Sequence, residues 1–278
     1  MVRLPDDSLI RRRPVRLIAS DLDGTLFGPE HALTPRTIAA VQAAVGAGIH
    51  VIAATGRSTT SAVPRLAPVE VIDTAVCSNG SLIHDLPTGH TTDRFPIDPA
   101  MVERLLACVS AIDDRFAFCW ETDHGNGWDD AFDDIAFVHE DLGEERGLAR
   151  RPIMSDRTTK IMVRHPEIEQ EELREFLVPR MVDPLTVSTS GVQFVEITGV
   201  GINKATAVAE LCSRWGIDRR DVVALGDNHN DAALLEWAGL GIAMGNGSSL
   251  ARSAADLVIG TNVDDAVAQW IEALLSSS

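Results

Sequence analysis

Val15-Arg16-Leu17-Ile18-Ala19-Ser20-Asp21-Leu22-Asp23-Gly24-Thr25-Leu26 is the stretch that decides the fold. It opens with a short apolar run bounded by turn-formers, which reads as a buried strand of a parallel sheet. Ligands of open α/β sheets sit at strand ends. Asp21 and Asp23 therefore project from a strand tip, and Gly24 lets the chain turn sharply there. Two carboxylates so close raise each other's pKa, a cost that a divalent cation removes. A ligand set made only of oxygen suits a hard ion such as Mg2+. Taken alone, the stretch is equally consistent with a solvated Asp-x-Asp-Gly turn.

Outward from it, strand and helix alternate. Thr34-Pro35 opens a helix, with Thr as cap and Pro at the first helical position. Gly46 to Gly48 ends it. Ile49 to Ala54 reads as a second buried strand, ending in Thr55-Gly56-Arg57. Strand, helix and strand within sixty residues form a βαβ unit. A hydroxyl at a strand tip, followed by Gly and backbone N–H groups, can hold a phosphate oxygen. Val71 to Cys77 reads as a third strand, followed by the turn Ser78-Asn79-Gly80.

From about Asp85 to Thr189 the texture changes. A helix over Met101–Ile112, strands over Phe116–Thr122 and Lys160–Val163, and a helix over Glu167–Val178 are expected. So is a pair of strands, 186–189 and 193–197, around a Ser-Gly turn. His124 to Gly127 reads as a turn. This segment is an α+β insert. Beyond Gly199 the alternation resumes: a helix over Lys204–Trp215, then a strand over Asp221–Leu225 that ends in Gly226-Asp227-Asn228-His229-Asn230-Asp231. A helix, two short strands and a closing helix over Val263–Leu275 follow.

Composition sets bounds. The chain has 278 residues, 45% of them hydrophobic, enough for a real core. No apolar run reaches the ~20 residues of a membrane span. The net charge of −17 argues against a nucleic-acid partner. Cys77, Cys108, Cys119 and Cys212 show no zinc or disulfide spacing. A cytoplasmic protein with no membrane partner is expected.

Three strand tips thus carry polar signatures: Asp21 with Asp23, Thr55, and Asp227 with Asp231. Lys204 starts a helix nearby, and parallel topology brings such tips to one edge. In this order the residues resemble the four motifs of the haloacid dehalogenase superfamily. Asp21-x-Asp23-Gly24-Thr25 resembles the first motif, Thr55 the second, Lys204 the third and Gly226-Asp227-x-x-Asn230-Asp231 the fourth. With the insert placed after the third strand, the chain is most similar to the Cof-type phosphatases. It departs from them at Asn203 and Ala205, beside the lysine, where they often carry Gly.

The resemblance implies a Rossmann-like core over 13–84 and 193–278 with an inserted C2B-type α+β cap over 85–192. It implies a Mg2+-dependent phosphatase of small phosphorylated metabolites, sugar phosphates or similar, acting through an aspartyl-phosphate. Asp21 is then the nucleophile, Asp23 the acid–base, and Thr55 and Lys204 hold the transferring oxygens. Asp21, Asp23 (through its backbone carbonyl), Asp227 and Asp231 are the expected metal residues. Leu22, Gly56, Arg57, Asn79, Gly80 and Asn230 are expected around the substrate. A sugar phosphomutase would use the same aspartate pair, and a non-catalytic binding module is the alternative from another class. In the cap, Trp120 to Asp130 is the loop expected to touch the substrate. Glu121 and Asp123 there would favour hydroxyl-rich monophosphates.

Overall fold

Strand β1 (Leu17–Ser20) lies inside an eight-stranded sheet, parallel to β2 (His50–Ala54) on one side and to β11 (Val222–Gly226) on the other. The computed structural model describes residues 14–122, 125–129, 132, 157–181 and 183–277. Beyond β2 come β3 (Thr74–Cys77), then β4 (Leu82–Asp85) and β5 (His90–Arg94), both antiparallel. Beyond β11 come β12 (Leu240–Ala243) and β13 (Leu257–Val258), both parallel.

The continuous apolar strands need cover on both faces, and the helices supply it. Ile18, Val51 and Ala53 face the helices Pro35–Gly46 and Ala266–Ser276 through Val41, Ala44, Trp270 and Ile271. Leu17, Ala19, Ile52 and Ala54 face the helices Lys204–Trp215 and Ala232–Trp237 through Val208, Leu211, Leu234 and Leu235. As expected, Thr34 caps its helix by accepting a hydrogen bond from the N–H of Thr37.

The insert is a five-stranded antiparallel sheet in the order β7 (Gly125–Trp128), β6 (Ala117–Thr122), β8 (Thr158–Arg164), β10 (Val195–Thr198), β9 (Thr186–Ser188). Helices Pro99–Ile112 and Gln170–Leu177 cover one of its faces. There Val102, Leu105 and Leu173 pack on Phe118, Trp120, Ile161 and Ile197. The fold is therefore α/β, a mostly parallel core sheet with an inserted α+β cap.

Three details differ from the sequence reading. His90–Arg94 pairs with β4 and so extends the core sheet, while Val195–Thr198 belongs to the cap sheet. The expected boundaries at 85 and 193 thus each cut off a strand that its sheet retains. Pairing decides this, because local composition does not tell a hairpin at a core edge from the start of a new sheet. Gly125-Asn126-Gly127, expected as a turn, is strand β7: the Trp120 ring occupies the space a Cβ on Gly127 would need. Glycine there reflects a close cross-strand approach.

Candidate active site

The N–H of Asp21 donates to the carbonyl of Leu225 at 2.9 Å, continuing the β1–β11 ladder one residue past the strand. The chain then turns at Gly24 with φ +75°. The Asp227 side chain fills the place where a Cβ on Gly24 would stand, so only glycine fits. Asn246 holds this loop from across the site, its Nδ2 donating to the Gly24 carbonyl at 2.8 Å.

Lys204 reaches the cluster because Asn203 caps its helix. The Asn203 side chain accepts from the Thr206 N–H at 3.0 Å, and the Asn203 N–H donates to Thr206 Oγ1 at 3.1 Å. The Asn203 side chain thus fixes the lysine at the first helical position. Its fully buried ammonium donates to Asp21 Oδ1 at 2.6 Å and to Asp231 Oδ1 at 2.7 Å. Asp231 Oδ2 in turn accepts the N–H groups of Asp227 and Asn228, each at 2.9 Å. Thr25 Oγ1 donates to Asp227 Oδ1 at 3.2 Å.

Oxygens of Asp21, Asp227 and Asp231 lie within 4.8 Å of one another. Burial pushes the Asp21 carboxyl well above the usual range; Lys204 opposes this, and Asp231 and Asp227 add to it. Burial, then Asp231, pushes Asp227 up to about 7 against the pull of Lys204. Burial would pull the Lys204 ammonium down, but Asp21 and Asp231 outweigh it and hold it above its ordinary value. Three carboxylates therefore lie together with one ammonium bonded to two of them, in an all-oxygen donor set. These residues fit a hard divalent cation.

Asp23 has a different environment. Its carboxylate is turned to Arg57, with Nε at 2.5 Å and Nη2 at 2.7 Å, and to His31 Nδ1 at 2.8 Å.

Above the cluster lies a cavity of about 200 Å3 between the two sheets. Asp21, Asp23, Thr55, Gly56, Arg57, Asp227 and Asn230 line it from the core, as the sequence led one to expect. Lys204 and Asp231 lie beneath it. Leu22, Asn79 and Gly80 do not line it. Leu22 is fully buried against Leu26 and Phe27 in the core, because alternation turns it away from the aspartates. The Asn79 side chain accepts from Asn230 Nδ2 at 2.9 Å and so supports the wall from behind. Gly80, at φ +101°, lets the chain pass against the Asn203 carbonyl.

The expected cap loop is corrected as well. Trp120 fills the cap core and faces away from the cavity. Glu121 is buried, accepting from Ser78 Oγ, with its other oxygen 3.4 Å from Lys160 Nζ. Asp123, His124 and Asp130 lie outside the described residues. The cap wall is instead Lys160, Met162, Val192, Phe194 and Glu196, with Ser190 and Gly191. The signal for it was present in the sequence: Lys160 and Glu196 are charges inside otherwise apolar strands. His31 carried no such signal.

A Rossmann-like sheet whose strand tips bring together an aspartate pair, a threonine and a second acidic pair beside a buried lysine has the make-up of a phosphoryl-transfer enzyme. Residues 18–271 match the family of haloacid dehalogenase-like hydrolases, and the chain belongs to it. It is 27% identical to the 5-amino-6-(5-phospho-D-ribitylamino)uracil phosphatase YcsE of Bacillus subtilis, over 92% of this chain and 94% of that protein. It is also 27% identical to the pyridoxal phosphate phosphatase YbhA of Escherichia coli, over 92% and 97%. Its fold matches that of the HAD subclass IIB sugar phosphatase BT4131 with a TM-score of 0.80 at 19% identity, over 92% of this chain and 98% of that one. Together these support a Cof-type phosphatase, a phosphoric monoester hydrolase. No helix among the described residues is long and apolar enough to cross a membrane.

Proposed function

We propose that the enzyme hydrolyses small phosphomonoesters with Mg2+, through an aspartyl-phosphate on Asp21. The observation that carries this reading is the buried ammonium of Lys204 bridging Asp21 and Asp231, with Asp227 alongside, at the floor of a small cavity. The relatives act on a phosphorylated ribitylaminouracil, on pyridoxal phosphate and on sugar phosphates. A small phosphorylated metabolite is the substrate class they support here.

Asp21, Asp227 and the Asp23 carbonyl would hold the metal, with Asp231 ordering its water. The bound ion supplies positive charge that offsets the repulsion between phosphate and carboxylates. Lys204 fixes the Asp21 carboxylate for attack on phosphorus; the bond to the leaving oxygen breaks as the bond to Asp21 forms. The Thr55 hydroxyl and Arg57 bind the non-bridging oxygens. Asp23 gives a proton to the leaving oxygen. It then takes one from the water that opens the acyl phosphate, which returns Asp21 and releases inorganic phosphate.

The test is phosphate release from 4-nitrophenyl phosphate by the wild type and by Asp21→Asn, with far-UV circular dichroism on both. Turnover restored by Mg2+ after EDTA in the wild type, and lost in a folded variant, is the expected result. A folded Asp21→Asn with more than a few per cent activity would remove Asp21 as nucleophile, and full activity in chelator would remove the metal. Inorganic phosphate rather than an isomerised sugar phosphate as product separates this reading from a phosphomutase.

A further inference from the structure

Period-two alternation gives the cap sheet two unlike faces. Trp120, Ile161, Val195 and Ile197 point to the cap helices. On the other face stand Cys119 and Glu121 of β6, Lys160 and Met162 of β8, and Glu196 of β10 with Phe194 just before it. Within that face Lys160 is the hub. Its ammonium donates to the Gly56 carbonyl of the core at 2.7 Å and to Glu196 Oε1 at 3.1 Å, and it lies 3.4 Å from Glu121 Oε2. Burial pulls Lys160 down, yet Glu196 and Glu121 outweigh it and keep it charged.

The balance on Glu196 is incomplete. The residue is 2% exposed and lines the cavity, and its Oε2 is buried with no hydrogen-bond partner among the described residues. A buried carboxylate oxygen without a donor is costly. The neighbours on the same wall, Met162, Val192 and Phe194, offer no donor, and Phe132 backs the Phe194 ring at a centroid distance of 5.8 Å. The wall opposite the aspartates thus sets the apolar Met162, Val192 and Phe194 beside the Lys160–Glu196 pair, with Ser190 and Gly191 completing it.

Resting on the phosphatase reading above, we propose that Glu196 is a specificity-determining residue: its free Oε2 accepts a hydrogen bond from an N–H or O–H donor on the leaving group. The leaving group is a ring-sized body whose apolar faces lie against Met162, Val192 and Phe194. Lys160 is the positioning residue, because it holds Oε1 and leaves Oε2 to the ligand. A site built around a buried acceptor discriminates strongly against a ligand that leaves it unpaired.

The experiment compares kcat/KM for benzyl phosphates carrying an amino group at the ortho, meta or para position with the matched formyl compounds. For at least one position the wild type is expected to favour the amine by about tenfold or more. In Glu196→Gln the amide oxygen keeps the Lys160 contact and the NH2 takes the place of Oε2, so the preference should fall or invert. Glu196→Asp, which withdraws the acceptor by one methylene, should shrink it and serves if the glutamine variant does not fold. No amine preference in the wild type at any position, or an unchanged ratio in a folded variant, overturns the proposal. Failure of the phosphatase reading looks different: the wild type then releases no phosphate from any of these compounds.

Discussion

Arg57 grips Asp23 with both prongs of its guanidinium, Nε to Oδ2 at 2.5 Å and Nη2 to Oδ1 at 2.7 Å. Burial pushes the Asp23 carboxyl up, but the Arg57 hydrogen bonds and charge, with His31 behind them, hold it below its ordinary value. A planar fork that fits a carboxylate also fits a phosphoryl group. Arg57 is placed to exchange Asp23 for substrate oxygens as a phosphate enters, which frees Asp23 for proton transfer. Arg57→Lys keeps the charge and loses the fork. It should raise KM for 4-nitrophenyl phosphate about tenfold, for roughly 1.4 kcal/mol of lost binding, with a smaller change in kcat. Steady-state kinetics decide; an unchanged KM would show that the fork serves Asp23 alone.

Asp23→Asn removes the proton carrier from both halves of the reaction. A loss on the order of 10²–10⁴ in kcat is expected. The first half should suffer less with an aryl phosphate than with an alkyl phosphate, because a good leaving group needs less protonation. Single-turnover kinetics on both substrates provide the check, and equal losses would speak against the acid role.

Gly24→Ala tests the approach of the loop to Asp227. The new methyl would meet the Asp227 carboxylate, and alanine at φ +75° adds strain of ~1–2 kcal/mol. Asp227 must move, so the Mg2+ concentration needed for half-maximal turnover should rise while the fold survives. A metal titration of activity beside a thermal melt measures both. An unchanged metal requirement would show that Asp227 is not held where the ion binds.

His84, on the core-edge hairpin, gives a pH signature. Burial lowers its pKa from the ordinary 6.5, against a smaller upward pull from Asp85. Between the lowered value and 6.5 the unfolded chain binds the extra proton. Stability is therefore lost as pH falls through that window and is unaffected above it. In His84→Gln this contribution is absent. The urea midpoint of the wild type relative to the variant should drop between about pH 7.5 and about pH 5. A difference that stays constant with pH would mean that His84 is not buried neutral.

The sequence by itself determined the core sheet and its catalytic edge. Apolar runs ending at Asp21, Thr55 and Asp227, alternating with helices, read as buried parallel strands, and parallel strands deliver their tips to one edge. The lysine could be read because Lys204 opens a helix between the second and third of these tips and resembles the family's third motif. What only the tertiary structure decided are relations between residues far apart in the chain. Which way Trp120 and Glu121 face depends on strand register, and a shift of one residue exchanges the two faces. The turn of Asp23 toward Arg57 and the hold of Asn246 on Gly24 join distant parts of the core, and the meeting of Lys160 with Glu121, Glu196 and the Gly56 carbonyl arises where the cap sheet seats on the core. No local pattern encodes that seating. It is set by buried charges finding partners across two sheets, and an isolated strand has none to offer.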